Sequence, residues 1–481
     1  MIKWCAMEKK YKKLVDNTII FFIGTFGSKV LSFLIVPLYT YVLTPAEYGQ
    51  IDLFTTAIRM MIPFTSVMFA DAILRFVTSE EVDRKVVVSN GVVVFIYGTV
   101  LTVSCIPLYK AAFNLGSNLF LYVIALILNT YTSIFPHYLR AVGKNVSFAI
   151  NGVVQTVVML GLNVYFLLVC HLGIKGYLYS MVLSQLASAI FVTISGRILH
   201  EVSYRNVDFG TLKQMLVFCI PIIPNSLMWW LMSAGDKYVI NFFMGDTANG
   251  LYSIALKVPT IISMLYSVFT QAWQLSAIEE MKSKDKTIFY NKIFDILSVF
   301  LCFSVSLIIP VIRPLFCSVL NEGYHSTWKY APFLCVAAIL DSFGSFASVT
   351  YSITKKTGKA VIATSIGIIT NIVINLVLIN KIGLYGVAIG TIIGNSVVMK
   401  MRLNDMCHDM GIFINTNKLN ISVAILIVES VITIVVKDAR WNVCLIIFAI
   451  IIACLYRSEL MGAVSSLRRS FMKWNYKNDT N

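Results

Sequence analysis

Four basic side chains lie inside long apolar segments of the 481-residue chain: Lys29, Arg59, Lys237 and Lys257. A cation at the middle of a bilayer costs about 2.5–3.5 kcal/mol on the insertion scale, so these side chains are expected to avoid lipid. Lysine and arginine bind phosphate and pyrophosphate groups through charge-assisted hydrogen bonds. The four residues therefore predict a cationic cavity that binds an anion within the membrane.

Other polar residues recur at helical spacing on the same faces as these cations. The four predicted faces are Thr25, Lys29 and Ser32; Asp52, Thr56, Arg59, Pro63 and Ser66; Asn225, Trp229, Ser233 and Lys237; and Ser253, Lys257, Thr260, Ser267 and Gln271. Polar stripes along membrane helices usually face a neighbouring helix or a water-filled cavity.

Several charged residues near these faces are candidates for ion coupling or charge pairing. They are Asp52, Asp71, Arg75, Asp236 and Asp341. Buried ion pairs that only join helices are the alternative to a functional cavity. We favour the cavity because only Asp236 and Asp341 stand out as acidic residues deep in the membrane, fewer than the four cations.

The composition indicates that helices crossing a bilayer position these residues. Hydrophobic residues make up 58% of the chain and charged residues 13%, against about 25% charged in a soluble domain. Apolar windows of about 20 residues predict an all-α integral membrane protein with fourteen spans. They are 19–42, 51–70, 87–108, 119–138, 146–169, 174–194, 215–243, 248–272, 293–312, 331–353, 360–380, 383–400, 418–436 and 441–457.

The basic residues predict the orientation of these spans. Lys and Arg concentrate in the termini and in the even-numbered connections, and only the four named above fall inside predicted spans away from their ends. The positive-inside rule then places both termini in the cytoplasm. The net charge of +15 is accordingly a topology signal and does not indicate a nucleic-acid partner.

Internal similarity divides the chain into two halves. GKNVSFAING (143–152) resembles GKAVIATSIG (358–367), LGIKGYLYSMVLSQ (172–185) resembles IGLYGVAIGTIIGN (382–395), and YGQIDL (48–53) weakly resembles NGLYSI (249–254). Because each offset spans an even number of helices, the halves have parallel topology. We predict an N-terminal lobe at 1–200, a C-terminal lobe at 201–405, and two additional helices with a basic tail at 406–481. This arrangement favours a transporter that alternates access to a central site.

No catalytic, metal or cofactor site is predicted. The ten cysteines form no C-x-x-C pair, the five histidines have no metal-ligand spacing, and no phosphate-binding glycine loop is present. Trp229, Trp230, Tyr238 and Trp273 could stack on sugars, but we expect them to be interfacial anchors at span ends.

The stretches GTFGSKVLSFLIVPLYTYVLTPAEYGQIDLFTTAI (24–58) and MFADAILRFV (68–77) resemble the start of polysaccharide repeat-unit flippases of the Wzx type. These flippases belong to the multidrug/oligosaccharidyl-lipid/polysaccharide (MOP) exporter superfamily, and Y-T-x-x-L-T-P-x-E-Y-G is the most specific element. The resemblance implies a V-shaped bundle with a cationic cavity lined by the first, second, seventh and eighth helices, on which Lys29, Arg59, Lys237 and Lys257 lie.

The resemblance also implies a cargo, which is an undecaprenyl-pyrophosphate-linked oligosaccharide of O antigen or capsule. The protein would move it to the outer leaflet of the bacterial inner membrane without acting as an enzyme. Its partners would be this lipid-linked oligosaccharide and membrane lipids, with the polymerase and chain-length regulator of the pathway as further candidates. No nucleic-acid partner is expected.

Four alternatives remain open, and one of them is a structural scaffold of the membrane. A multidrug or cation antiporter of the same superfamily would need acidic residues in its cavity, for which Asp71 and Asp341 are candidates. A lipid II flippase is closer still to the favoured function. A polytopic glycosyltransferase or polymerase would be expected to carry an Asp-x-Asp site or a long external loop, and neither is found in the sequence.

Overall fold

The computed structural model describes residues 35–79, 82–112, 116–280, 285–354, 356–436 and 445–458. These residues form α-helices with short 3-10 and π turns, and no β-strand occurs among them. The predicted all-α class is confirmed. Contacts divide the chain into two compact units, the first comprising Met1–Tyr238 with Gly245–Gly250 and the second Val239–Met244 with Leu251–Asn481. The division at residues 200 and 405, which rests on internal similarity, stays a prediction.

The helices are numbered along the described residues. Those before the second unit are α1 Val36–Val42, α2 Pro45–Thr65, α3 Phe69–Thr78, α4 Arg84–Ser104, α5 Ile106–Ala112, α6 Leu119–Ile134, α7 Pro136–Ala141, α8 Asn145–Asn163, α9 Gly173–Gly196, α10 Ile198–Glu201 and α11 Phe209–Cys219. The remaining helices are α12 Ile222–Ala255, α13 Lys257–Glu280, α14 Lys286–Val319, α15 Ala331–Thr354, α16 Thr357–Ile382, α17 Leu384–Met410, α18 Asn417–Val435 and α19 Ile446–Leu455.

The described part of the chain contains 10 helical segments long and apolar enough to cross a membrane, or 11 if α2 and α3 form one bent span. Each predicted span from 51–70 to 418–436 coincides with such a segment, and one 59-residue segment, Phe209–Ser267, covers two of them. The first predicted span, 19–42, lies outside the described residues except for α1. The last, 441–457, contains the ten-residue helix α19.

The sequence TPAE determines where α2 begins. The backbone N–H of Thr44 donates to Glu47 Oε2 at 2.8 Å, and the backbone N–H of Glu47 donates to Thr44 Oγ1 at 3.3 Å. This reciprocal capping box satisfies two of the backbone donors that a helix start leaves without partners. Pro45 at the first helical position is already restricted to a helical φ. The most specific part of the sequence motif is thus a helix start.

The other end of α2 is bent. Val67 and Met68 adopt left-handed φ angles of 50° and 54°, and α3 leaves α2 at 49°. Pro63, inside α2, has no N–H to donate to the carbonyl of Arg59 one turn earlier. The helix is therefore weakened in the turn that carries the predicted cavity arginine.

A second break interrupts α12 at Gly245, whose φ of 78° and ψ of −178° lie outside the helical region. Glycine adopts positive φ without steric cost, so the residue permits the chain to turn there. The break separates the stretches that correspond to predicted spans 215–243 and 248–272.

The second unit contains an aromatic cluster around Trp273. Its ring stacks on Phe346 with centroids 4.2 Å apart, and its Nε1 donates to the Phe346 carbonyl at 3.2 Å. Trp273 is only 2% exposed. The expectation that Trp273 is an interfacial anchor is therefore wrong, because the indole is a core side chain whose polar atom is satisfied internally.

Candidate functional site

The predicted cavity residues of the first unit lie on the neighbouring helices α2 and α12. Lys237 Nζ lies 2.8 Å from Asp52 Oδ1, and Trp230 Nε1 donates to the Thr56 carbonyl at 3.1 Å. Residue numbers rise along α2 as they fall along α12, so the two helices run antiparallel. These contacts place the two helices beside each other and pair Asp52 of one predicted polar face with Lys237 of the other.

The Lys237–Asp52 ion pair is largely shielded from solvent. The two side chains are 16% and 15% exposed. The neighbouring Asp236 is 9% exposed and also interacts with other residues of the chain. Because Asp52 balances its charge, Lys237 contributes less net positive charge to this site than the sequence suggested. The partner of Lys237 is on a different helix and could not be read from sequence proximity.

Arg59 differs from Lys237. Its side chain is exposed, and its guanidinium makes no hydrogen bond or ion pair with any described residue. It lies 14 residues after Pro45, the first residue of α2, which corresponds to about 21 Å along the helix. Arg59 therefore lies deep in a membrane helix without an ion-pair partner among the described residues, where lipid contact would be costly.

The exposed side of α12 carries both polar and aromatic residues. Between Ile222 and Val239 the exposed residues are Pro224, Asn225, Trp229 and Ser233, and the last three recur every four residues on one face. Three members of the predicted polar face are thus exposed on one side of α12. The fourth, Lys237, instead forms an ion pair with Asp52 on α2. Asn225 makes no side-chain hydrogen bond with any described residue.

A groove lies at the C-terminal end of α3. The predicted topology places this end of the helix on the cytoplasmic side. It encloses about 570 Å³ and is lined by Asp71, Leu74, Arg75, Thr78, Ser79, Phe218 and Ile222. The guanidinium of Arg75 lies 4.5 Å from the centroid of the Phe218 ring, in a cation–π contact. Asp71 and Arg75, which lie one turn apart, form no ion pair in the structure.

Two predicted cavity residues are not among the described residues of the first unit. Lys29 lies outside the described residues. Lys257 is the first residue of α13 in the second unit, where it is half-buried and interacts with other residues. Their roles as cavity residues stay predictions.

Asp341, on α15 of the second unit, has a basic neighbour that the sequence did not identify. Arg402 is 3% exposed, and it donates to Thr364 Oγ1 at 2.8 Å and to the Gly344 carbonyl at 3.3 Å. Arg402 also interacts electrostatically with Asp341. The sequence analysis did not identify this buried arginine, because α17 continues beyond the apolar window that ended at residue 400.

Glu429 is a second buried charged residue that the sequence analysis missed. It is 0% exposed on α18, and Ser306 Oγ donates to its Oε2 at 2.7 Å. A glutamate at the centre of the apolar run NISVAILIVESVITIV was a sufficient signal. Asp236 and Asp341 are thus not the only acidic side chains deep in the membrane helices.

Within the described residues, no group of three or more His, Cys, Asp or Glu side chains comes together in a way that could hold a metal ion. The first unit offers cationic, amide, hydroxyl and aromatic groups together with the carboxylates of Asp52, Asp71 and Asp236.

Comparison with known proteins identifies the family. Residues 14–274, more than half of the chain, match the polysaccharide biosynthesis protein family. The chain belongs to this family. This polysaccharide biosynthesis protein is also 27% identical over 247 residues to an uncharacterized membrane protein of Methanocaldococcus jannaschii. That match covers 47% of this chain and 57% of the archaeal protein, so the chain spans little more than half the length of this curated relative.

Solved structures show the fold of this polysaccharide biosynthesis protein. It is similar to the lipid II flippase MurJ in an inward closed conformation, with a TM-score of 0.68 and 15% identity over 93% of this chain and 99% of that one. It is also similar to an inward-facing multidrug resistance MATE family transporter of the MOP superfamily, with a TM-score of 0.64 and 16% identity over 80% and 94% of the two chains. The MOP exporter fold that the sequence resemblance implied is confirmed.

A third similar structure is a MOP superfamily transporter from Pyrococcus furiosus, described as having a binding pocket of reversed polarity. Its TM-score is 0.61 at 16% identity, over 82% of this chain and 95% of that one. At such identities the likeness concerns the fold, and the chemistry must be argued from the side chains of this chain.

Proposed function

We propose that this polysaccharide biosynthesis protein is a flippase for an undecaprenyl-pyrophosphate-linked oligosaccharide repeat unit. It moves this lipid from the cytoplasmic to the outer leaflet of the bacterial inner membrane by alternating access around a cationic cavity. The proposal rests chiefly on Arg59, which is exposed deep in a membrane helix and has no hydrogen bond or ion pair among the described residues.

A pyrophosphate group fits the chemistry of this arginine. The planar guanidinium can donate two parallel hydrogen bonds to phosphate oxygens, which fixes orientation as well as charge. A permanently anionic cargo is also consistent with outward movement. An inside-negative membrane potential favours the transfer of each negative charge to the outside by about 2.3 kcal/mol per 100 mV.

In this proposal Lys237 can contact the cargo only when its ion pair with Asp52 is broken. Its ammonium group is bound to Asp52, so contact between Lys237 and an anionic cargo requires exchange of one negative partner for another. Such an exchange would link the arrival of the cargo to a change at the contact between α2 and α12. Lys29 and Lys257 are the further proposed contributors to the cavity, and Asp71, Arg75, Asp236 and Asp341 remain candidates for ion coupling.

The experiment is deletion of the gene in its host, followed by determination of the leaflet on which a pyrophosphate-linked oligosaccharide accumulates. The proposal predicts accumulation on the cytoplasmic leaflet, which the wild-type gene reverses and an Arg59→Gln variant does not. Drug sensitivity without accumulation would support a multidrug exporter instead. Loss of lipid II translocation would support a lipid II flippase, and loss of glycan transfer or polymerisation would support an enzyme of the pathway.

A further inference from the structure

Trp229 lies far from either end of its apolar helical segment, whereas a membrane anchor lies near an end. It lies 16 residues before the helix break at Gly245 and 20 residues after Phe209, the first residue of α11. At 1.5 Å per residue these separations are at most about 24 Å and about 30 Å. Interfacial tryptophans lie at the ends of spans, at the level of the lipid headgroups. The anchor role expected from the sequence is therefore wrong for Trp229.

The indole of Trp229 also forms no specific contact with the described residues. It is 47% exposed, and it makes no hydrogen bond or ring contact with any described residue. The adjacent Trp230 provides the contrast, because its Nε1 is bonded to the Thr56 carbonyl and its ring lies 5.5 Å from that of Tyr238. Of two neighbouring tryptophans, one joins helices and the other presents a free aromatic face.

The exposed residues that flank Trp229 on α12 are polar, which is typical of a membrane helix face that lines water or a neighbouring helix. A helix that faces lipid exposes aliphatic side chains, as α8 does with Ile150, Val153 and Val157. On α12 the exposed residues one turn on either side of Trp229 are Asn225 and Ser233. An amide without a hydrogen-bond partner would be costly in hydrocarbon but not in water.

The cationic site lies at a similar depth. The helices α2 and α12 run antiparallel, with Thr56 beside Trp230. Moving along α2 from Thr56 to Arg59 therefore corresponds to moving along α12 toward lower residue numbers, from Trp230 toward Asn225. Trp229 lies within that interval. Arg59 and Trp229 therefore lie at a similar depth on two neighbouring helices.

We propose that Trp229 is the sugar-stacking residue of this site, with Asn225 and Ser233 as its flanking hydrogen-bonding groups. The inference rests on the proposed function, in which the first sugar of the cargo is bonded directly to the pyrophosphate. The electron-rich face of an aromatic ring attracts the polarised C–H bonds of a pyranose ring. Amide and hydroxyl groups one turn away can bond sugar hydroxyls. Arg59 recognises the headgroup charge and Trp229 recognises the saccharide.

The test compares two ligands of the purified full-length protein: undecaprenyl pyrophosphate, and undecaprenyl pyrophosphate carrying one N-acetylglucosamine. We expect the wild-type protein to bind the sugar-bearing probe about 3- to 10-fold more tightly, as expected for one aromatic contact. Trp229→Leu should remove this preference without changing the affinity for the bare probe, and Trp229→Phe should retain most of it. Trp230→Leu serves as the structural control and should lower the thermal stability of the protein.

Three outcomes would overturn the inference. If Trp229→Leu lowers the affinity for both probes equally, the residue supports the fold and does not recognise sugar. If the wild-type protein binds both probes equally well, no saccharide subsite exists near the pyrophosphate, although the flippase proposal survives. If the wild-type protein binds neither probe, the proposed function fails and the inference fails with it.

Discussion

Gly49 and Gly250 are in direct backbone contact. A Cβ atom built on Gly49 would lie 2.0 Å from the carbonyl oxygen of Asp246, and one built on Gly250 would lie 1.9 Å from that of Pro45. The internal similarity of YGQIDL (48–53) and NGLYSI (249–254) aligns these same two glycines. Around them Asn249 Nδ2 donates to the Gly49 carbonyl at 3.0 Å. The weakest of the three sequence matches thus marks a close contact that only glycine permits.

Gly49→Ala and Gly250→Ala should each destabilise the protein by about 1–3 kcal/mol, because the new methyl group overlaps backbone atoms that cannot rotate away. The measurement is thermal unfolding of the detergent-purified protein. Gly152→Ala and Gly161→Ala are matched controls, since a Cβ at either position meets nothing within 4 Å. These controls should be neutral or stabilising by up to about 1 kcal/mol. Equal behaviour of both sets would show that the glycine contact is not tight.

Asp52 and Lys237 should behave as a coupled pair. Either Asp52→Asn or Lys237→Gln leaves a charge in a largely shielded site, so each should destabilise the protein by about 1–3 kcal/mol. The double variant should be more stable than the sum of the two losses predicts. A double-mutant cycle of unfolding free energies measures this coupling, and strictly additive losses would show that the pair carries no interaction energy.

Transport assays of the same variants separate structure from function. If the pair only joins α2 and α12, the double variant should transport at a rate close to that of the wild-type protein. If Lys237 exchanges Asp52 for the cargo, the double variant should transport slowly even where it is stably folded.

Asp208 predicts a specific dependence of stability on pH. Its carboxylate accepts hydrogen bonds from the Thr211 hydroxyl and from the backbone N–H groups of Thr211, at 2.9 Å, and Gly210, at 3.2 Å, at the start of α11. The Thr211 hydroxyl bond and these backbone bonds lower the pKa of Asp208 below its usual 3.8. A lowered pKa stabilises the folded state above the unfolded pKa, and this contribution disappears as the pH falls through the folded value.

The comparison is therefore between the wild-type protein and Asp208→Asn over a range of pH. The stability difference between them should be constant at neutral pH and should shrink below about pH 4, where the carboxylate of the unfolded chain begins to protonate. Chemical unfolding at several pH values measures it. A difference that grows on acidification would contradict the assigned role of Asp208.

The sequence predicted the helices well because a membrane span needs about 20 apolar residues and leaves little choice of structure. It predicted the ends less well. Arg402 was assigned to a connection because the residues after 400 are polar, yet α17 continues to Met410. Arg402 forms tertiary contacts with Gly344 on α15 and Thr364 on α16, and no property of the local sequence reports these contacts.

The sequence predicted which residue types form the candidate site. It did not predict which of these residues contact one another. The polar faces containing Arg59 and Trp229 follow from helical spacing. That Asp52 would bind Lys237, 185 positions away, depends on which helices become neighbours. The distinct roles of Trp229 and Trp230 likewise depend on which side of α12 meets α2.

The central claim is that Arg59, which has no ion pair among the described residues, binds the pyrophosphate of the cargo within the membrane. The most direct measurement is the rate at which a fluorescent undecaprenyl-pyrophosphate-linked disaccharide crosses the bilayer of vesicles that contain wild-type or variant protein. Arg59→Gln should slow this crossing at least about tenfold, since loss of one charge-assisted contact costs about 1.5–3 kcal/mol. Arg59→Lys should retain part of the rate, and Arg205→Gln, which changes an exposed loop cation, should not alter it. Equal crossing rates for the wild-type and Arg59→Gln proteins would contradict the account.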